Sequence, residues 1–356
     1  MVSRAPISDA SAWFGEDMAR SDRWVRNLSA AALDEIDGAL KAVRARGIPW
    51  HEIDRQNFPL PGLAEEFAEI ARELEDGCGM IKLRGLPVER YALAELRQIW
   101  FGIGSHIGHP VYQNCRGELM RDIHDEGAAV GERYGQIKTG QDDKVFLSSY
   151  ARTVSNGALR FHTDRCDVVG LLCVQQAKTG GQSLLCSSTM IHNEMLRRRP
   201  DLLDVLFQDF YRSRFGEEAG GPEQVYALPI FGMRNGKFTS HYSLTYIETA
   251  QMVPSVPRLT AAQREAIELL ATLAKELAFE MTLEPGDIQL LNNHVIYHAR
   301  TAFSDDATQG RRRLLLRLWL SMPNSRALPE GHEVLWGSIE PGAMRGGIGQ
   351  AAASLA

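Results

Sequence analysis

Two hydrophobic rhythms divide this chain. Up to about residue 107, apolar side chains recur every third or fourth position; past residue 145 they alternate or gather in short runs. The first rhythm marks one face of a helix and the second marks strands. Residues 30–45 place Leu33, Ile36, Leu40 and Val43 at helical spacing, behind Ser29 as a capping residue. Residues 63–74 put Leu63, Phe67, Ile70 and Leu74 on one face, and Gly77 is placed to end that helix. Residues 80–83 read as a short strand closed by Gly85 and Pro87, and 91–107 as another helix.

The second half reads mainly as strands. Residues 170–175 are an apolar run, followed by the turn Thr179-Gly180-Gly181-Gln182 and a strand at 183–187. Residues 189–209 read as helical, with Pro200-Asp201 restarting the helix. The clearest helix is 260–278, where Thr260 and Gln263 form a capping box. A turn at 284–287 precedes strands at 288–291, 295–298 and 314–320. These patterns predict an α+β, β-rich fold in one folding unit. A helical N-terminal part, 1–76, packs on a β-rich domain, 77–336, which carries an insertion at about 189–280. The Gly/Ala-rich tail, 337–356, is expected to be loosely ordered or packed as a lid. A two-sheet jelly roll is the natural way to close such strands.

Composition narrows the function classes. The 356 residues are 44% hydrophobic and 24% charged, ordinary proportions for a globular protein. A net charge of -6 argues against nucleic acid as a partner, because neutralising phosphates needs a basic face. The five cysteines contain no C-x-x-C pair, which suits free thiols in a reducing compartment. Residues 1–18 lack the apolar core of a signal peptide, and no apolar run approaches a membrane span. The cytoplasm is therefore the expected location.

The candidate chemistry lies in Phe161-His162-Thr163-Asp164 and Asn293-His294-Val295-Ile296-Tyr297-His298. Residues i and i+2 of a strand point to the same side, so His162 and Asp164 can reach one metal from one strand end. A second strand then supplies the third ligand, either His294 or His298. Two histidines and one carboxylate leave three positions open, the pattern of non-haem iron(II) oxygenase sites. An H-x-D triplet alone is weak, and a lone histidine on a strand is more often a packed core residue. Among the ten histidines, only His162 has a carboxylate at i+2 inside a strand-like segment followed by a Gly-Gly turn. Only His298 is followed, fifteen residues later, by a strand that opens with arginines.

That strand puts Arg313, Leu315, Arg317 and Trp319 on one face and Leu314, Leu316, Leu318 and Leu320 on the other. The leucine face belongs against a core. The arginine face is suited to gripping a carboxylate in a partly buried pocket, such as the distal carboxylate of a 2-oxo acid.

Phe161-His162-Thr163-Asp164, Lys178-Thr179-Gly180-Gly181-Gln182-Ser183, Pro285-Gly286-Asp287, the Asn292-to-Phe303 segment and the Arg312-to-Leu320 segment occur in that order. Together they resemble the taurine dioxygenase/TfdA-like, or clavaminate synthase-like, family of Fe(II)/2-oxoglutarate oxygenases, over about residues 78–325. The resemblance implies a double-stranded β-helix (jelly-roll or cupin-like) core with helical insertions. It implies iron(II) on His162, Asp164 and His298, the last favoured over His294 by its place in a His-x-Arg-Thr-x-Phe pattern. It puts the distal carboxylate of 2-oxoglutarate on Arg313, with Ser183 where the family usually has threonine. Arg317 matches the residue that binds the substrate's anionic group in the taurine enzyme.

The implied reaction consumes O2. It couples decarboxylation of 2-oxoglutarate, to succinate and CO2, with oxidation of an unactivated C–H bond, by default hydroxylation. Desaturation, epoxidation or ring closure could use the same residues, and a non-oxidative jelly-roll metalloprotein is the competing class. Asp164 argues against halogenation, whose enzymes carry a small residue there. Arg160, two before His162, joins Arg317 and Trp319 as a candidate substrate contact, which makes a small anionic substrate the expectation. A homo-oligomer is a common outcome for such proteins.

Overall fold

The computed structural model describes residues 5–139, 144–217, 221 and 223–349. Two sheets face each other. The larger, seven-stranded sheet runs Val25–Asn27, Met80–Arg84, Ile288–Asn292, Val168–Gln175 and Leu314–Ser321, with His109–Pro110 and Met120–Ile123 both pairing along the last strand. Every pairing in it is antiparallel except that of Val25–Asn27 with Met80–Arg84. The smaller sheet, also antiparallel, runs Phe279–Met281, Ser183–Ser187, Ile296–Arg300 and Leu159–His162.

The outer face of the large sheet is built from the expected leucines. Leu316, Leu318 and Leu320 join Leu172, Ile288 and Leu290 in a core cluster with Ile36, Leu40, Phe67, Ile70 and Trp100. Those last residues come from the helices Ala30–Ala45, Ala64–Asp76 and Leu93–Ile107. Ser29 caps the first helix by accepting from the Ala32 N–H. Contact is tight at Gly170, where a Cβ would lie 2.6 Å from the Trp100 ring. The opposite flank is covered by Ser188–Arg198, Pro200–Leu206 and Ala261–Glu276, whose apolar residues pack with Leu185 and Cys186. Thr260 and Gln263 make the expected capping box.

The inner face of the large sheet is different. One register row reads Lys82, Gln289, Leu171, Arg317, Arg121. Four of these five residues are polar, and all except Leu171 are buried. This polar row faces the small sheet.

Several expectations need correction. The 189–280 segment is not simply helical: it contains the hairpins Asp209–Ser213/Val225–Pro229 and Phe231–Arg234/Lys237–Ser240. The second hairpin had a signal. Asn235-Gly236, with φ of 51° and 77°, forms the left-handed two-residue turn that this dipeptide favours. The 1–76 segment, expected to be mostly helical, also gives the large sheet its edge strand, Val25–Asn27. The tail is tightly packed where described, to residue 349. Arg345 and Ile348 are buried, and the Gly347 and Ile348 N–H groups donate to the carbonyls of Arg165 and Tyr112. Residues 350–356 of the expected tail lie outside the described residues. No described helix is long and apolar enough to cross a membrane.

Candidate metal and cosubstrate site

His162 ends its strand, and His298 lies directly opposite it on the neighbouring strand. Their ring centroids are 4.3 Å apart. Asp164 follows in the turn after His162. Its Oδ1 lies 3.9 Å from His162 Nε2, and its Oδ2 lies 3.8 Å from His298 Nε2. Donor atoms of all three side chains lie within 4.8 Å of one another, a spacing that one metal ion can bridge.

The surroundings prepare these groups as ligands. His162 Nδ1 is 2.8 Å from the Arg160 carbonyl, so Nδ1 carries the proton and Nε2 presents its lone pair. Burial pushes both imidazoles below their ordinary pKa, His298 to about 3, with the neighbouring ring and Arg317 adding to the shift of His298. Both are therefore neutral at physiological pH. Burial alone would raise the Asp164 pKa. Arg317, the two histidines and the Trp319 N–H outweigh it and hold the carboxyl below its usual range. Trp319 Nε1 donates to Asp164 Oδ2 at 3.1 Å, and Arg317 Nη1 lies 3.8 Å from Oδ1. The Asp164 N–H donates to Asn293 Oδ1, and Asn293 Nδ2 donates to the Cys166 carbonyl, which fixes the turn.

His294 is not part of the cluster. It precedes its strand, so the period-two rule does not carry it to the face of His298. It is fully buried, bonded to Asp167 Oδ1 at 2.8 Å and Thr239 Oγ1 at 2.7 Å. Asp167 in turn accepts from Arg345 Nε at 2.8 Å.

A cavity, partly open to solvent, extends from the three clustered residues between the sheets. Val169, Leu171 and Leu315 give it apolar walls, and Ser183 and Arg313 also line it. Arg313 is 6% exposed. Its Nη2 donates weakly to the Gly181 carbonyl at 3.4 Å, and its Nη1 has no partner among the described residues. Burial lowers its pKa to about 10, so the guanidinium remains charged. Gly181 (φ 80°) lies in the left-handed region that favours glycine, and a Cβ there would lie 2.8 Å from Arg313 Nε.

The three residues expected to contact substrate differ in placement. Arg317 lines the cavity, and Gln113 clamps it by accepting from its Nε at 2.7 Å and donating to its carbonyl at 2.8 Å. The Trp319 indole is committed to Asp164 and is not part of the cavity wall. The Arg160 side chain turns away to Glu248 at 2.6 Å and Thr245 Oγ1 at 2.9 Å. Strand parity could not show this, because Glu248 comes from a helix 88 residues downstream.

Sequence reasoning also passed over two cavity residues. Arg300 donates to the carbonyls of Thr153, Ser155 and Gly157, and so pins the 153–157 loop along the cavity. The pattern around His298 contained this arginine but gave it no role. Gln289 lines the cavity from the central polar row, where an isolated glutamine in an apolar run was the only signal.

The sequence profile of the family described as "Taurine catabolism dioxygenase TauD, TfdA family" matches residues 45–319. FR-33289 synthase of Streptomyces rubellomurinus is 30% identical over 333 residues, covering 92% of this chain and 94% of the relative. The taurine hydroxylase-like protein SAT17 of Stachybotrys chartarum is 31% identical over 320 residues, covering 88% of this chain and 79% of that one. Asparagine oxygenase, solved with Fe(II), 3-hydroxyasparagine and succinate, superposes with a TM-score of 0.62 at 17% identity, over 84% of this chain and 94% of that chain. These likenesses displace the non-oxidative metalloprotein alternative. The chain belongs to the taurine catabolism dioxygenase TauD, TfdA family and is an Fe(II)- and 2-oxoglutarate-dependent dioxygenase.

Proposed function

We propose that His162, Asp164 and His298 hold the iron of this dioxygenase, and that Arg313 and Ser183 hold the distal carboxylate of 2-oxoglutarate. One observation carries this reading. A single cavity joins the three-residue cluster to a buried guanidinium whose Nη1 has no partner among the described residues. An unpaired buried charge is costly, and a carboxylate is the complement its planar fork suits.

Iron(II) with 2-oxoglutarate supplies the O2 activation that couples decarboxylation to succinate and CO2 with hydroxylation of a C–H bond. The chain's own residues bind, orient and exclude water. The Arg160 carbonyl sets the tautomer of His162, while Trp319 and Arg317 aim the two oxygens of Asp164. Val169, Leu171 and Leu315 form the dry walls between the metal cluster and Arg313. Arg313, just before the Leu314–Ser321 strand, and Arg317, within it, both line the cavity, and four residues of extended chain span on the order of 13 Å, room for a small dicarboxylate.

We read the two facing, mainly antiparallel sheets as a double-stranded β-helix spanning 77–336. Residues 1–76 and the tail complete it as one folding unit. Support comes from Val25–Asn27 extending the large sheet and from Arg345 reaching Asp167.

We further propose a small substrate with an anionic group. Arg317 and Arg121 are directly opposed across paired strands, and both are buried. Like charges so placed repel. Glu118, Glu126 and Asp164 offset them only loosely, at 3.4–3.8 Å. A substrate anion beside Arg317 would complete the balance. Turnover of neutral compounds alone, from a panel holding carboxylates, phosphonates and sulfonates, would sink this part.

The assignment of the site is tested by succinate formation from 2-oxoglutarate with iron(II), ascorbate and air. His162→Ala should abolish it. Arg313→Ala should raise the KM for 2-oxoglutarate tenfold or more. Full activity in His162→Ala would overturn the assignment.

A further inference from the structure

Arg300 is 6% exposed and lines the same cavity as Arg313 and Ser183. It stands in the strand Ile296–Arg300, directly opposite Ser183 in the antiparallel register. Residues so opposed point to one face, with their Cβ atoms about 5 Å apart. Arg300 therefore shares the cavity wall with one of the two groups proposed above for the distal carboxylate of 2-oxoglutarate. The other, Arg313, shares the ring of Phe303 with it. The Arg300 guanidinium lies 4.9 Å from the centre of that ring and the Arg313 guanidinium 5.2 Å from it, which bounds their separation at about 10 Å.

Both heads carry a fixed positive charge. Neither forms an ion pair among the described residues: Asp125 acts on Arg300, and Asp305 on Arg313, only from a distance. The buried arginines of the inner row differ. Arg121 has Glu118 at 3.4 Å and Glu126 at 3.5 Å, and Arg317 has Asp164 at 3.8 Å. Arg300 has only the carbonyls of Thr153, Ser155 and Gly157, and its Nε has no partner among the described residues. Two buried like charges at this range repel, and carbonyl dipoles do not cancel them. Holding a loop by its carbonyls calls for N–H donors, which a neutral side chain can supply. It gives no reason to bury a second charge in the cavity wall.

We propose that Arg300 is the second positive charge of the cosubstrate site: its guanidinium acts through space on the distal carboxylate held by Arg313 and Ser183, and so favours 2-oxoglutarate over 2-oxo acids that lack that carboxylate. This rests on the assignment of Arg313 and Ser183 above. The incoming carboxylate offsets both guanidinium groups at once. The charge of Arg300 thereby adds to affinity while its N–H groups stay on the 153–157 loop.

The test is an anaerobic titration of the iron(II)-loaded full chain, without substrate, with 2-oxoglutarate and separately with 2-oxobutyrate, read by the charge-transfer absorption of the complex. 2-Oxobutyrate keeps the 2-oxo acid end and lacks the distal carboxylate. Arg300→Met should raise the Kd for 2-oxoglutarate about tenfold, the order expected for a unit charge about 10 Å away at an effective dielectric constant near 20. The Kd for 2-oxobutyrate should stay within twofold of wild type, as should that for iron(II). Arg300→Gln keeps N–H donors for the loop, removes the charge and should give the same split. It carries the test if the methionine variant does not fold.

A Kd for 2-oxoglutarate within twofold of wild type in Arg300→Gln, beside a large loss in Arg313→Ala, would overturn the role of Arg300 alone, because that variant has no charge. Equal weakening of 2-oxoglutarate and 2-oxobutyrate would also overturn it and leave Arg300 as a brace for the loop. An unchanged Kd in Arg313→Ala would overturn the carboxylate site itself, and the role of Arg300 with it.

Discussion

Asp164 accepts from Trp319, feels Arg317 and faces both histidines, so its orientation depends on side chains far away in the chain. Groups that orient a ligand typically contribute ten- to a hundredfold to metal affinity. Trp319→Phe keeps most of the ring but loses the N–H donor. We expect it to weaken iron(II) binding by about tenfold in a direct metal titration, in line with that range. Arg160→Ala is the counterpart. Its side chain forms a partly exposed ion pair with Glu248, and only its backbone carbonyl touches His162. Iron(II) affinity should be unchanged, and the stability cost in urea should stay below about 1 kcal/mol. At this scale the choice of residue type was readable in the chain, while the partner of each side chain was not.

Strands and helices carry the next set of constraints. The Leu314–Ser321 strand separates two environments by parity alone: leucines pack on the helices, and Leu315, Arg317 and Trp319 face inward. That division could be read from the alternation. The approach of Leu93–Ile107 to Gly170 could not, because it depends on two segments meeting. Gly170→Val should overpack this contact and lower stability by about 1–3 kcal/mol, measured by thermal or urea unfolding. Thr260→Ala removes an exposed helix cap and should cost about 1 kcal/mol by the same measurement, with no change in 2-oxoglutarate binding. The hairpins within 209–240 were hidden for a different reason. Their strands are short and lie among helical patterns, and only Asn235-Gly236 marked one of the turns.

The molecule as a whole ties its tail to the turn that follows Asp164. Arg345, His294 and the Met322 N–H converge on Asp167, and Trp336 lies against the His294 ring, 4.8 Å between centroids. Burial pushes His294 down to about 4, against the raising effect of Asp167, and it likewise pushes His332 to about 4. Both are neutral in the folded chain at pH 6.5, whereas the unfolded chain takes up protons there. Their effect on stability is therefore absent well above pH 6.5. It becomes a growing penalty as pH falls toward 4. Melting temperatures of the metal-free protein between pH 7 and pH 4.5 should show this decline, with a shallower slope in His294→Gln.

The chain by itself determined the rhythm of its elements, the His162/Asp164 pair and the arginine face near residue 313. These follow from periodicity and residue chemistry over a few neighbouring positions. The motif around His298 already favoured it over His294; only the tertiary structure decided that Asp167 and Thr239 hold His294 apart from the cluster, that Glu248 draws Arg160 away, and that Gln289 and Arg121 join the inner row. Each of these turns on which distant segments share a register or a buried contact. Local sequence carries no direct record of that, because the free energy selecting it comes from pairing and burial across the whole fold.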